Sequence, residues 1–340
     1  MKLGLSEVKS ITSGAVRITE DEKGFHFSRF TEEQENLYKL RSEDFYIKSF
    51  STSGIKLCFT TDSNKLSLKG AVYPGSTRTY YAFEIFCNDI KLGGIQNFEE
   101  ASISADYTTQ NWPLGEFSKS FDLPQGMNKV TILLPWTVKA VIKELEVDDN
   151  AAIVPVKRKN KVLCFGDSFT QGYDALYPSS KYISRLAQYL DGEEYNKAIG
   201  GERFYPELAL TKDSFTPDFI TIAYGGNDRY GSSEEELTMH CSQFFENVRK
   251  NYPDVKIIAI APLRCEDYVE TCKMKAFSTV AQTIERIAKS QKNIIYIPAC
   301  DYVPREGKFF ADNVHLNDTG LDLFCKNLLN EMDAIGGVGI

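Results

Sequence analysis

The sequence lacks the features that mark several large functional classes. No run approaches the ~20 apolar residues needed to cross a bilayer. Its longest apolar strands, such as Ile257 to Leu263, are short and contain Pro262. The opening MKLGLSEVKS has no apolar stretch after its first lysine, so it does not read as a secretory leader. The expected location is therefore the cytoplasm, with no membrane partner. Positive charge is in deficit: 39 Lys and Arg stand against 47 Asp and Glu, a net charge of −8. An acidic surface repels phosphate backbones, so nucleic acid is not an expected partner. The 8 cysteines form no Cys-x-x-Cys pair and no Cys/His group with zinc spacing. No metal and no other cofactor is expected, and Cys58, Cys87 and Cys164, inside apolar strands, read as buried free thiols. There is no G-x-x-x-x-G-K-[ST] loop, no H-E-x-x-H and no G-x-S-x-G elbow. The terminal Gly336-Gly337-Val338-Gly339 lacks the spacing of a nucleotide loop and reads as a tail. Histidine is scarce, with only His26, His240 and His315.

What remains is an ordinary globular composition, 42% hydrophobic and 25% charged, in 340 residues, a length that suits two domains. Residues 1–152 read as an all-β sandwich of jelly-roll type. Short aromatic and β-branched stretches (Phe45–Phe50, Ile55–Thr60, Tyr80–Cys87, Lys129–Leu134) alternate with turn residues such as Pro74-Gly75-Ser76 and Pro124-Gln125-Gly126. No segment there shows a helical stripe. The polar stretch from Asp148 through Lys157-Arg158-Lys159 reads as a solvated linker. From 160 to 335 apolar strands alternate with helical segments, which predicts a parallel sheet covered on both faces, an α/β/α domain. The expected strands are Lys161–Phe165, Glu194–Ile199, Phe219–Tyr224, Val255–Ala261 and Ile294–Pro298, in flavodoxin-like order 2-1-3-4-5. Between Ser233 and Tyr252, Leu237, Cys241, Phe244 and Val248 mark one helix face, and Ser233 with Glu236 has capping-box spacing.

Four short stretches follow strands of this second part. They are Gly166-Asp167-Ser168-Phe169-Thr170, Asn196 to Gly201, Gly225-Gly226-Asn227-Asp228, and Asp312-Asn313-Val314-His315. Ligands of open α/β sheets bind beyond the carboxyl ends of the strands, so these stretches are expected to meet. A serine hydroxyl becomes a nucleophile only when a base takes its proton. His26 lies in the β part and His240 beside a helix stripe, which leaves His315. Asp312, three residues earlier, suits the role of orienting its ring. The candidate catalytic residues are Ser168, His315 and Asp312. The candidate oxyanion donors are the N–H groups of Ser168 and Gly201 and the side-chain amide of Asn227. Asp167, Phe169, Arg203, Tyr205, Arg229 and Tyr230 flank these stretches and are candidate substrate-binding residues, while Asp228 reads as structural.

The four stretches resemble the conserved blocks of the SGNH (GDSL-type) hydrolase family. Ser168 matches the serine of its first block, Gly201 the glycine of the second, Asn227 the asparagine of the third, and Asp312 and His315 its Asp-x-x-His. Two departures are Phe169 in place of leucine and the adjacent Gly200, a rival to Gly201; the family's Asn-x-x-x-x-Gly spacing from Asn196 favours Gly201. The resemblance covers roughly residues 160–332 and implies a flavodoxin-like fold and metal-free ester chemistry. Some members carry a leading β-sandwich, among them carbohydrate acetylesterases and an acyltransferase. That architecture implies a short-chain acyl substrate, acetyl on a carbohydrate or other small molecule. An acyltransferase using the same residues, and a non-enzymatic glycan-binding protein, are the alternatives. The role of the β part (carbohydrate binding, a pocket wall, or oligomer formation) stays open.

Overall fold

The computed structural model describes residues 1–99, 103, 107–265 and 276–336. Residues 337–339 of the glycine tail, and Cys272, lie outside them. The first half is built on two antiparallel sheets. One runs in the order Thr12–Ser13, Lys56–Thr61, Asn128–Leu133, Ala82–Cys87, Ile90–Gln96. The other runs Arg17–Asp21, Gly24–Ser28, Val138–Val147, Lys65–Pro74, Glu116–Asp122. Strict alternation explains why they stack. Along Lys65–Pro74 the residues Leu66, Leu68 and Val72 are buried while Lys65 and Lys69 are exposed. Their apolar faces join Phe27, Phe59, Phe83, Ile85, Val130 and Ile132 in one core.

Helices also occur in this half, against expectation: Leu5–Ile11, Glu32–Arg41 and Glu43–Ser49. The stretch Phe45–Phe50 is thus helical rather than a strand. Its aromatic residues read as β-formers, but Asp44 and Lys48 pair at helical spacing, 2.5 Å apart. The helix before it starts on a capping box, Thr31 with Gln34, which the sequence displayed as plainly as Ser233 with Glu236. The polar connection is not free either. Val154–Pro155 pairs with Lys56–Thr61, and the Lys157 ammonium donates to the Thr12 carbonyl.

The second half holds a five-stranded parallel sheet. Its order is Gly192–Asn196, Asn160–Gly166, Phe219–Ala223, Lys256–Ile260, Ile294–Ile297, so the second strand in sequence precedes the first. Helices Tyr182–Tyr189 and Asp318–Ala334 pack with one apolar cluster, Glu234–Asn251 and Phe277–Lys289 with another, and residues of the sheet join both. The second strand begins earlier and ends sooner than its apolar run suggests. Glu193, outside the expected strand, and Glu194, its expected first residue, are both buried, 2.7 Å from Lys56 and 2.6 Å from Lys181 respectively. The run Lys197-Ala198-Ile199 is left as loop, which carries the chain toward Gly201. The described cysteines are free, and all but Cys300 are buried. Among the described residues no helix is long and apolar enough to cross a membrane.

Candidate active site

The strands Asn160–Gly166 and Phe219–Ala223 and the loop after Gly192–Asn196 deliver Ser168, Asn227 and Gly201 to one end of the sheet. Asp167 caps the short helix Ser168–Gln171, its carboxylate accepting the Phe169 N–H at 3.1 Å. Gly166 is forced by space: a Cβ there would lie 2.3 Å from the Thr170 hydroxyl and 2.8 Å from the Ala223 carbonyl. Ser168 opens the helix, where first-turn N–H groups have no acceptor within the helix. Its Oγ lies 2.9 Å from His315 Nε2. On the other side of the ring, Nδ1 lies 2.9 Å from Asp312 Oδ2, and the second oxygen of Asp312 accepts the backbone N–H groups of His315 (2.6 Å) and Val314 (2.7 Å).

Burial opposes ionisation of Asp312, but the His315 ring and these N–H groups outweigh it and hold the carboxyl below its ordinary range. Burial also opposes a charged His315, yet Asp174 and Asp312 overcome it and push the imidazole up to about 9. Asp167 is pushed up to about 7, chiefly by burial. An imidazole held this way between a hydroxyl and a carboxylate can accept the hydroxyl proton when it is neutral.

The loops holding Gly201 and Asn227 are tied together. Asn227 Nδ2 donates to the Glu202 carbonyl at 3.0 Å, leaving its other amide hydrogen for a ligand. Gly200 and Gly201 differ in a decisive way. The Gly200 N–H is engaged by Gln171 Oε1 at 2.7 Å, and a Cβ on Gly200 would strike Tyr173. Gly201 is exposed and sits at φ +88°, a left-handed backbone that favours glycine.

A small cavity lies beside Ser168, with room for about 60 Å³ among the described residues. Phe169, Tyr230, Ile260, Leu263, Phe277 and Val314 give it apolar walls, and Asp167, Asn227 and His315 contribute polar edges. Three expected substrate contacts are absent from this lining. Arg203 donates to the Gly231 carbonyl, Tyr205 lies against Arg41 and Tyr38, and Arg229 packs on the Phe277 ring. Neighbouring sequence positions do not imply a shared direction of side chains at a helix start. Asp228 is buried and accepts the Phe204 N–H at 3.3 Å, a structural role. His26 lies in the strand Gly24–Ser28 of the first half and binds Asp21 at 2.8 Å.

Two residues near His315 carried no sequence signal. Asp174, in the loop after the serine's helix, places Oδ2 3.3 Å from His315 Nδ1. Arg78, between the strands Lys65–Pro74 and Ala82–Cys87 of the first half, reaches Asp174 with two nitrogens (2.6 and 2.7 Å) and Asp312 with one (3.1 Å). Ligand atoms of Asp174, Asp312 and His315 lie within 4.8 Å of one another, a spacing a metal could use. Here the guanidinium already meets the two carboxylates, so the set is complete as a network of hydrogen-bonded acids and bases.

No curated protein sequence matches the chain. Solved structures share its fold across both halves. A salicylyl-acyltransferase, SsfX3, from a tetracycline biosynthetic pathway superposes with a TM-score of 0.79 at 16% identity, covering 96% of this chain and 94% of that one. An acetyl xylan esterase from the rumen bacterium Butyrivibrio proteoclasticus gives 0.62 at 14% identity over 99% of both chains. A family two carbohydrate esterase from Clostridium thermocellum, in complex with cellohexaose, gives 0.61 at 15% identity over 84% of this chain and 94% of that one. The model of the GDSL-like lipase/acylhydrolase family matches residues 164–323.

Proposed function

We propose that the protein is a serine esterase that removes a short acyl group, acetyl by preference, from a carbohydrate or glycoside. The observation that carries this reading is the unbroken chain Ser168 Oγ, His315, Asp312, each link 2.9 Å. Ser168 attacks the ester carbonyl as neutral His315 takes its proton, and Asp312 keeps the ring in the tautomer that presents Nε2 as acceptor. The oxyanion of the tetrahedral intermediate is met by the N–H groups of Ser168 and Gly201 and by the amide of Asn227. His315 then returns the proton to the leaving alcohol. Water attacks the acyl-enzyme through the same groups and releases the acid.

A small apolar cavity suits a short acyl chain. The carbohydrate end of the proposal draws support from the carbohydrate esterases that share the whole layout. A second reading, transfer of the acyl group to a hydroxyl acceptor in place of water, is favoured by the likeness to the salicylyl-acyltransferase.

The test is a series of nitrophenyl esters of rising chain length, with Ser168→Ala as control. Hydrolysis that falls sharply beyond acetate and vanishes in the variant is expected. Equal rates for wild type and Ser168→Ala would remove the reading. Adding candidate alcohols to an activated acetyl donor separates the two versions: transfer exceeding hydrolysis selects the acyltransferase.

A further inference from the structure

We propose that Asp174 and Arg78 are positioning residues for His315, so that the first half of the chain supplies part of the acid–base machinery. The inference rests on the esterase reading of Ser168 and His315. Its basis is geometric. The His315 Nδ1–H faces two carboxylates, Asp312 Oδ2 at 2.9 Å and Asp174 Oδ2 at 3.3 Å. The Asp174 side chain is fully buried, so its charge must be met within the protein. Arg78 meets it in bidentate fashion, Nε to Oδ1 at 2.6 Å and Nη2 to Oδ2 at 2.7 Å, and the same Nη2 reaches Asp312 Oδ2 at 3.1 Å. One guanidinium therefore fixes both acceptors of one imidazole proton.

The loop bearing Asp174 is shaped to this end, largely from the first half. Gly172 (φ +119°) turns the chain out of the serine's helix, and Asp174 itself sits at φ +55°, a conformation that Asp tolerates better than most side chains. Tyr107 OH donates to the Asp174 carbonyl at 2.5 Å, Trp136 Nε1 to the Ala175 carbonyl at 2.8 Å, and Tyr80 OH to Asp174 Oδ1 at 3.3 Å. All three residues belong to the first half. The groups facing His315 are thus Ser168 and Asp167 on the serine's turn, Tyr173 and Asp174 on the loop after it, Asp312 on its own loop, and Arg78 behind the carboxylates.

A second carboxylate on Nδ1 favours the imidazolium and restrains the ring. Removing it should move the proton equilibrium of His315 without touching Ser168. Because the chain has three histidines, imidazole signals of the full-length protein can be followed by ¹⁵N NMR, with His315→Gln to assign the signal. His315 is expected to titrate at about 9 in the wild type and to move toward the ordinary value near 6.5 in Asp174→Asn. The rising limb of kcat/KM against pH should move the same way, with KM little changed. Arg78→Met takes a cation from behind both carboxylates, so it should move the signal the opposite way, further up, and Arg78→Lys, which keeps the charge, should leave it nearer the wild-type value. If Asp174→Asn does not fold, Arg78→Met carries the test by its upward shift. A His315 signal and a pH limb that stay in place in folded variants would overturn the proposal. Ser168→Ala keeps the two claims apart. Retained hydrolysis in that variant defeats the esterase reading, whereas abolished hydrolysis with an unmoved His315 signal defeats the positioning role alone.

Discussion

The two halves of the molecule bring chemistry to the same place by different means. In the α/β half, the side chains proposed to react stand in loops beyond strand ends, and a parallel sheet places those loops side by side whatever their separation in sequence. In the β half, no described residue lines the cavity beside Ser168. Its contribution is made through second partners: Arg78 on the carboxylates behind His315, and Arg29, Tyr38, Arg41 and Lys48 on the loop that carries Gly201. A sheet topology thus gathers the candidate site at one rim, whereas the accompanying half touches it wherever a long cationic or aromatic side chain crosses the boundary.

The largest effect expected from this contrast is on the direct side. Ser168→Ala should lower kcat/KM for an acetyl ester by at least about 10³-fold, because nucleophile and base act as one unit. Its stability should be close to wild type, as measured by urea denaturation. Asn227→Ala should follow, with kcat lower by roughly 10²–10³-fold, the usual cost of one lost oxyanion donor. KM should change little, and a loss confined to KM would mean that Asn227 contacts the ground-state substrate instead.

These are also the residues that the sequence made legible. Ser168, Asn227, Asp312 and His315 lie in short local patterns with fixed spacing, and the alternation of apolar strands with helices implies a parallel sheet, which the order 2-1-3-4-5 fits. The structure brings Ser168, Gly201, Asn227, Asp312 and His315 to one end of the sheet. What the sequence hid has physical causes. The helix Glu43–Ser49 is rich in aromatics and held by side-chain pairing more than by a stripe. The hydropathy pattern puts the strand Gly192–Asn196 a few residues late, because its buried acids Glu193 and Glu194 have the hydropathy of a loop and the apolar Ala198-Ile199 follows them. Arg78 and Asp174 meet across 96 residues, and no local spacing announces such a contact.

The indirect side is tested next by Arg29→Met, which keeps an unbranched side chain of similar length but removes the charge. The Arg29 guanidinium is buried and donates to the carbonyls of Lys48, Ser51, Asn196 and Ala198, at 2.7–3.0 Å. Losing these bonds leaves carbonyls on both sides of the boundary without a partner, a cost of about 3 kcal/mol. The urea midpoint should fall accordingly. In the fraction that remains folded, kcat should fall more than KM rises, because the Asn196–Gly201 loop loses its anchor. Full kcat with lowered stability would show that the β half is a support and nothing more.

The smallest effect is the most discriminating about how the halves are joined. Thr31→Ala removes the side-chain cap of the helix Glu32–Arg41, at a cost of about 1 kcal/mol. That helix lies in the first half, but Tyr38 and Arg41 bind the buried carboxylate of Glu202, whose proton affinity is pushed up to about 8 chiefly by burial. Glu202 is the neighbour of Gly201, and its carbonyl holds Asn227. Contacts this deep couple the stability of one half to the other, so unfolding should be a single transition. The reporters are separable: both tryptophans, Trp112 and Trp136, are in the first half, while ester hydrolysis reports on the second. In urea the fluorescence and activity midpoints should coincide in the wild type and move down together in Thr31→Ala. If only the fluorescence midpoint moves, the halves unfold independently, and the cross-boundary side chains serve the site without tying it to the fold that presents them.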